Sequence, residues 1–187
     1  RCGPERPDVM PISMEALKDL KKKTKFEKVI VYPWPRVLTV ILSNNKHREY
    51  TCLLCRKGMF RAADAICERE GASGIVTGES LGQKATQTLS NLRATSHGIK
   101  FPILRPLLGL DKLEIERMSK KLSTWHEVHA GCCYATPRYP RTKADPEALD
   151  RILGELHIED AISNELKHIL EVRTFDEDFK SYLEALT

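Results

Sequence analysis

The chain has 187 residues, of which 41% are hydrophobic and 30% charged, and its formal net charge is +4. This composition is typical of folded globular proteins and excludes the disordered and fibrous classes. No apolar run approaches the roughly 18 residues that a membrane-spanning helix needs, and no secretory signal pattern is present. We therefore expect a cytoplasmic protein with no membrane partner, whose six cysteines stay reduced and serve metal binding or catalysis.

Hydrophobic periodicity and turn residues predict alternating strands and helices along most of the chain. In chain order they are a strand at 9–14, a helix at 15–25, a strand at 26–32, a helix at 53–71, a strand at 73–77, a helix at 81–92, a strand at 101–107 and an amphipathic helix at 110–122. This order predicts an α/β fold with a doubly wound, mainly parallel sheet. Ligands of such sheets bind at the carboxyl ends of the strands, which directs attention to the residues after Thr77 and Leu107.

From Pro146 onward the pattern changes to consecutive helical stretches, at 146–155, 159–170 and 175–186. We therefore divide the chain into a sheet domain, residues 1–145, and a helical C-terminal extension, residues 146–187. The sequence leaves open whether the extension packs on the sheet domain or serves a partner.

Cys52 and Cys55 stand three positions apart in the stretch CLLC. This spacing is used by zinc sites, iron–sulfur clusters and thiol redox pairs. One thiol of the adjacent pair Cys132 and Cys133 is the candidate third ligand, because neighbouring side chains diverge and seldom bind one metal ion. Ordinary buried cysteines are the alternative for the CLLC pair, and Cys67 is expected in the core.

The stretch TGESLGQKATQT, residues 77–88, directly follows a predicted strand. Its small residues, including Gly78, allow the backbone to approach a ligand, and its polar side chains, Glu79, Gln83 and Gln87, are candidate contacts. It lacks the GK[ST] end of a Walker loop.

The stretch ILRPLLGLDKLEI, residues 103–115, places Arg105 after a strand and Asp111 and Lys112 at a helix start. Positive charges fixed at such a place neutralise phosphate in a transition state. The alternatives are a helix cap for Asp111 and surface salt bridges for Arg105 and Lys112. Two basic clusters, 18–25 and 138–143, either meet phosphates or are solvated surface.

The stretch GIVTGESLGQKATQTLSNL, followed by PILRPLLGLDKLEI, resembles the ThiI family of tRNA 4-thiouridine synthetases in its PP-loop, adenine nucleotide alpha-hydrolase-like domain. The resemblance runs from about Val9 to Lys143 and closes with CCYATPRYPRTKA, which is similar to the family's cysteine segment. The CLLC stretch resembles the archaeal type, in which three cysteines hold an iron–sulfur cluster.

The resemblance implies that ATP with Mg²⁺ adenylates the C4 oxygen of a tRNA uridine and that sulfur then displaces AMP. It places Gly78, Gln83 and Gln87 around the nucleotide and gives Lys112 a role in adenylation. Cys132 matches the family's active cysteine, with Cys133 as the alternative. Cys52, Cys55 and one of these two would hold a 4Fe–4S cluster, with zinc as the alternative, and the sulfur donor is sulfide or a persulfide carrier.

Two parts of the family pattern are absent from these residues. The Ser-Gly-Gly-x-Asp-Ser run of the PP-loop is not present, and we expect it, with the first strand, upstream of Arg1. The THUMP region, which helps the family to grip tRNA, is expected upstream or in a partner subunit. A chain without the loop also fits a second hypothesis, a non-catalytic nucleotide-fold module that carries a cluster or zinc or binds tRNA as a partner subunit.

Overall fold

The computed structural model describes residues 9–84, 86–126 and 133–173. The helices in these ranges are α1 (Val9–Lys23), α2 (Pro35–Asn44), α3 (Thr51–Glu70), α4 (Leu89–Ser96), α5 (Lys112–Lys121), α6 (Pro146–Glu155) and α7 (Ile158–Glu165). The strands are β1 (Val29–Val31), β2 (Ile75–Val76), β3 (Ile103–Leu104) and β4 (Leu170–Val172). Short 3₁₀ turns at Arg48–Tyr50 and Leu166–His168 precede α3 and follow α7.

The described strands pair two by two. β2 and β3 are parallel, with Ile75 opposite Ile103, and α4 lies in the connection between them. This is the crossover unit of the predicted α/β fold. β1 pairs with β4 in antiparallel orientation, with Ile30 opposite Glu171. The candidate loops 77–88 and 105–111 therefore leave the same ends of two neighbouring parallel strands.

The hydrophobic core is built mainly from helices. Its buried members on α2, α3, α6 and α7 are Val37, Leu38, Ile41, Leu53, Leu54, Ala62, Leu149, Ile152, Leu153, Ile158 and Ile162. Trp34, just before α2, lies against Gly58 of α3 so closely that an added Cβ would come within 2.9 Å of the indole ring. Gly58 thus sets how near the two helices approach.

Helix α2 was not predicted. Its sequence, PRVLTVILSN, is rich in β-branched residues, which favour strands locally. Pro35 at its first position is a helix start signal, and Val37, Leu38 and Ile41 are spaced to form one buried face. Packing of that face against α7 and α3 outweighs the local preference.

Three predicted elements differ in the structure. Residues 9–14 begin helix α1 instead of forming a strand, because a short apolar run has no decisive period and good helix formers follow it. The helix predicted at 81–92 begins only at Leu89, where the Thr88 side chain accepts from Asn91 N–H as an N-cap. The helix predicted at 159–170 ends at Glu165, and Leu170 already belongs to β4.

Residues 146–173, the described part of the predicted C-terminal extension, pack on the rest of the described chain. α6 and α7 contribute to the core, and β4 pairs with β1. Lys57 of α3, fully buried, forms an ion pair with Asp150 of α6. The helix predicted at 175–186 lies outside the described residues. No helix in the described ranges combines the length and apolar character needed to cross a membrane.

Candidate functional site

The loops that follow β2 and β3 are joined by hydrogen bonds. Thr77 N–H donates to Leu104 O at 3.0 Å, and Leu81 N–H donates to Leu108 O at 3.2 Å. The buried Ser80 hydroxyl donates to Leu110 O at 2.7 Å. The two stretches singled out in the sequence thus form one surface at the carboxyl end of the parallel strand pair, as this fold class predicts.

The first loop is folded on itself and presents open backbone. Gly82 adopts a left-handed φ of +72° and its N–H donates to Gln87 O at 3.0 Å. A Cβ added at Gly78 would meet nothing within 4 Å, so the backbone there is accessible to a ligand. Gln83 is half-buried beside these glycines.

Gln87 carries an unsatisfied polar atom. The residue is 9% exposed, and its Oε1 is buried without a hydrogen-bond partner among the described residues. Buried side-chain oxygens nearly always accept a hydrogen bond, so an oxygen without a donor is unusual. A ligand donor in this loop would satisfy it.

Glu79 does not face a ligand, contrary to the sequence interpretation. It is 4% exposed. Its carboxylate accepts a hydrogen bond from Arg105 Nε at 2.7 Å and also pairs with Arg56 Nη1. Thr77 Oγ1 donates to the same carboxylate at 3.2 Å. Arg105 additionally donates to Ser96 Oγ at 2.6 Å. Arg105 is thus held in a salt bridge, as the sequence alternative had it, but the pair is largely buried and not at the surface, with side-chain exposures of 15% for Arg105 and 4% for Glu79.

Asp111 and Lys112 begin helix α5. Asp111 is the N-cap: its side chain accepts from Glu114 N–H at 2.8 Å, while its own N–H donates to the Glu114 carboxylate at 2.7 Å. This capping box confirms the helix-cap alternative for Asp111. Lys112 is 69% exposed, with Nζ 3.5 Å from Glu116 Oε1.

Cys52 and Cys55 lie near the start of α3, one turn apart, and both are half-buried. Residues three apart lie on the same face of a helix, so the two thiols suit adjacent ligand positions. Arg56, the next residue, reaches Glu79 and thereby brings this turn beside the first loop.

The third predicted ligand is not described. Cys132 lies outside the described residues, whereas Cys133 is described and half-buried. Within the described ranges, no group of three or more His, Cys, Asp or Glu side chains is arranged to hold a metal ion. The three-thiolate ligand set therefore stays a prediction. Cys67 is buried as expected, and burial raises the pKa of its thiol.

Sequence reasoning missed Asn91, which binds the main chain of residues 141–144, the segment that follows Cys133. Asn91 is fully buried; its Nδ2 donates to Arg141 O and its Oδ1 accepts from Ala144 N–H, both at 2.9 Å. Thr88 Oγ1 donates to Thr142 O at 2.7 Å. The only signal in the sequence is a polar residue within TLSNL, and its partners lie about fifty positions away.

A family of known proteins matches the part of the chain that contains the loops after β2 and β3. Residues 9–158 match the family model described as "Thiamine biosynthesis protein (ThiI)". A probable tRNA sulfurtransferase of Methanobrevibacter smithii is 46% identical over 60% of this chain and 30% of its own length. That of Methanocaldococcus jannaschii is 37% identical over 74% of this chain and 37% of its own. The tRNA sulfurtransferase of Thermoplasma acidophilum is 32% identical over 80% and 33%.

A solved structure shares the fold. It is the crystal structure of a 4-thiouridine synthetase–RNA complex with bound ATP, which superposes with a TM-score of 0.67 at 25% identity over 87% of this chain and 44% of that one. This match confirms the predicted PP-loop ATPase architecture. The chain spans about a third of the length of these curated relatives. Since the family model covers most of the chain, including both loops, the chain belongs to the ThiI family.

Proposed function

We propose that this chain is the ATP-dependent catalytic part of a tRNA sulfurtransferase, an enzyme that makes 4-thiouridine in tRNA. Residues 1–145 would carry the chemistry and residues 146–187 would support them. The family match and the names of the relatives support this assignment. We place the reaction in the cytoplasm, where thiols stay reduced.

The observation that carries the proposal is the joined pair of loops after β2 and β3. Their hydrogen bonds fix a loop that contains both the open backbone at Gly78 and the unpartnered Gln87 Oε1. An adenine nucleotide offers the N–H donors that such an oxygen lacks, and its phosphates, with Mg²⁺, would lie against accessible backbone N–H groups. We therefore assign Gly78, Gln83 and Gln87 to nucleotide binding.

The chemistry needs activation because a carbonyl oxygen does not leave unaided. The C4 oxygen of uridine attacks the α-phosphorus of ATP, a P–O bond forms, and pyrophosphate leaves. Sulfide then attacks C4, and AMP departs with the original oxygen, so no electron is gained or lost overall. Each stage develops negative charge on phosphate oxygens, which a positioned cation stabilises.

Lys112 is suited to that role by its position. It starts α5, whose N-terminus carries the positive end of the helix dipole, at the end of the loop that Ser80 ties down. Its contact with Glu116, at 3.5 Å and with the Lys112 side chain 69% exposed, is worth little and does not hold Nζ away from a phosphate.

The cysteines would supply the sulfur. Cys52 and Cys55, one helical turn apart on α3, have the chemistry and spacing of adjacent ligands for an iron–sulfur cluster, with zinc as the alternative. We assign Cys132 as the third ligand and active cysteine, with Cys133 as the alternative. Held by these three thiolates, a 4Fe–4S cluster would supply an iron able to bind exogenous sulfide; that sulfide would be free, or released from a persulfide carrier by a second thiol that forms a disulfide with the carrier.

Two measurements on the intact protein, purified without oxygen, test the proposal. The first is iron, acid-labile sulfide and zinc content, with Cys132→Ala and Cys133→Ala beside the wild type. We expect about four irons per chain, lost in only one of the two variants. Zinc alone, or no metal, would remove the cluster from the mechanism.

The second measurement is 4-thiouridine in unmodified tRNA after incubation with ATP, Mg²⁺ and sulfide, quantified by mass spectrometry of the nucleosides. We expect a product that depends on ATP. Bound tRNA and bound metal without any product would instead support a non-catalytic module that works with a partner, including one that provides the THUMP region.

A further inference from the structure

Three cations line one open groove. Arg93 reaches it from α4, and Arg141 and Lys143 reach it from the segment that follows Cys133. A second groove, lined by Glu49, Tyr139, Pro140, Arg141, Thr142 and Lys143, shares two of these cations. The two grooves meet at Arg141 and Lys143, which line both, and we call them together the basic groove.

The cations of the basic groove contact no carboxylate among the described residues, although Glu49 and Asp145 also line the groove. No carboxylate oxygen of the described residues lies within 4.0 Å of Arg93, Arg138, Arg141 or Lys143. Asp145 also lines the groove, but its carboxylate caps α6 and accepts from Ala148 N–H at 3.0 Å. Elsewhere in the described chain, arginines such as Arg56 and Arg105 are paired with acids.

The backbone beneath these cations is fixed. The buried Asn91 amide binds the main chain of Arg141 and Ala144, Thr88 binds that of Thr142, and Arg141 N–H donates to Glu49 O at 2.9 Å. Like charges held together repel, so the arrangement is stabilised when an anion binds between them.

An exposed tyrosine extends the surface. Tyr139 is 74% exposed, and the Arg138 guanidinium lies 5.3 Å from the centre of its ring. Exposed aromatic rings stack on unpaired bases, and arginine pairs with phosphate through two parallel hydrogen bonds. An interface with a protein would require a desolvated apolar centre, whereas charged side chains line this groove.

We propose that the basic groove binds the phosphodiester backbone of RNA, with Tyr139 available to stack on an unpaired base. This inference rests on the proposed function and deepens it, because it names where on the chain the RNA lies. The groove is formed by the same segment that carries Cys133, so RNA bound there would reach the sulfur chemistry.

The test compares two triple variants of the intact protein that remove the same charge. The groove variant is Arg93→Gln, Arg141→Gln and Lys143→Gln. The control is Lys22→Gln, Lys100→Gln and Arg173→Gln, whose side chains are 72%, 62% and 69% exposed and each contact a carboxylate. The dissociation constant of an unmodified tRNA transcript is measured against salt concentration.

We expect the slope of log affinity against log salt to fall by about 2 to 3 in the groove variant and to stay unchanged in the control. Tyr139→Ala should weaken binding at least about fivefold without changing the slope. Equal slopes in both triple variants would overturn the proposal. If the groove variant kept its slope for tRNA and lost affinity for polyglutamate, the surface would serve an acidic protein, which also overturns it.

Failure of this inference is distinguishable from failure of the proposed function. A wild type that makes no 4-thiouridine but shows a groove-dependent salt slope would refute the function and support the RNA surface. A wild type that thiolates tRNA, with equal slopes in both variants, would refute the surface alone. Thermal unfolding of each variant shows that it is folded before binding is measured.

Discussion

Glu79 and Arg105 form a buried ion pair, with Arg105 Nε donating to Glu79 Oε2 at 2.7 Å. The other carboxylate oxygen pairs with Arg56, which follows Cys55 in α3. One side chain therefore links the cysteine turn to both loops of the candidate nucleotide site. The relative position of these parts depends on this internal ion pair.

Replacing Glu79 by Gln should lower the free energy of unfolding by about 3 kcal/mol, because two largely buried guanidinium groups lose their counter-charge. Urea denaturation measures the change. The matched control is Glu68→Gln, which breaks the pair with Lys100 between side chains that are 67% and 62% exposed. That change should stay below about 1 kcal/mol, and equal losses in the two variants would contradict our interpretation.

The amino-acid pattern was sufficient for those elements whose signal is local. The strand before TGES, the strand in PILRPL and the capped helix after Asp111 were predicted, and the structure places them as expected. Because parallel strands end at the same edge, the meeting of the two loops followed from the fold class alone.

The remaining features depend on contacts between distant residues. Glu79 pairs with residues 23 and 26 positions away, and Asn91 binds main chain about fifty positions away. Helix α2 exists because Val37, Leu38 and Ile41 are buried by other helices, although their local preference is for a strand. Hydrophobic periodicity is a local pattern, so it does not predict contacts between residues that are distant in the sequence.

Replacing Cys52 or Cys55 by Ala should abolish cluster binding and tRNA thiolation while the fold survives, because both thiols are only half-buried in a helix turn. Iron content, 4-thiouridine formation and circular dichroism measure the three effects. Cys67→Ala is the control: its thiol faces Gly74 O at 3.7 Å in the core and should be dispensable for the cluster. Iron retained in both CLLC variants would exclude this pair as ligands.

Gln87→Met should separate stability from ligand binding. Met has nearly the same shape but lacks the unpartnered oxygen, so the ligand-free protein should be as stable as wild type or about 1 kcal/mol more stable. ATP affinity should fall about tenfold, because a hydrogen bond to the nucleotide is lost. Thermal unfolding with and without ATP measures both quantities, and unchanged ATP affinity would remove Gln87 from the nucleotide site.

Lys112→Ala should slow adenylate formation at least about a hundredfold while the dissociation constant for tRNA changes little, because the cation would act on charge that develops in the transition state. Single-turnover release of pyrophosphate from ATP measures the step. Lys121→Ala, at the far end of α5, is the control and should leave the rate unchanged. An unchanged rate in Lys112→Ala would refute the assigned role.

Asp150 provides a prediction of pH dependence. Burial alone would raise its pKa, but hydrogen bonds with Lys57 and His97 outweigh burial and hold the pKa below 3.8. Between the folded pKa and 3.8 the unfolded chain binds more protons, so the stabilisation is complete above pH 3.8 and is lost as the pH falls through the folded pKa. Asp150→Asn should cost about 2 kcal/mol near neutral pH, because Lys57 is left buried without its counter-charge. Urea denaturation from neutral to acid pH measures the difference in free energy of unfolding between Asp150→Asn and wild type, which should shrink below pH 3.8. A difference that does not depend on pH would show that the Asp150 charge does not stabilise the fold.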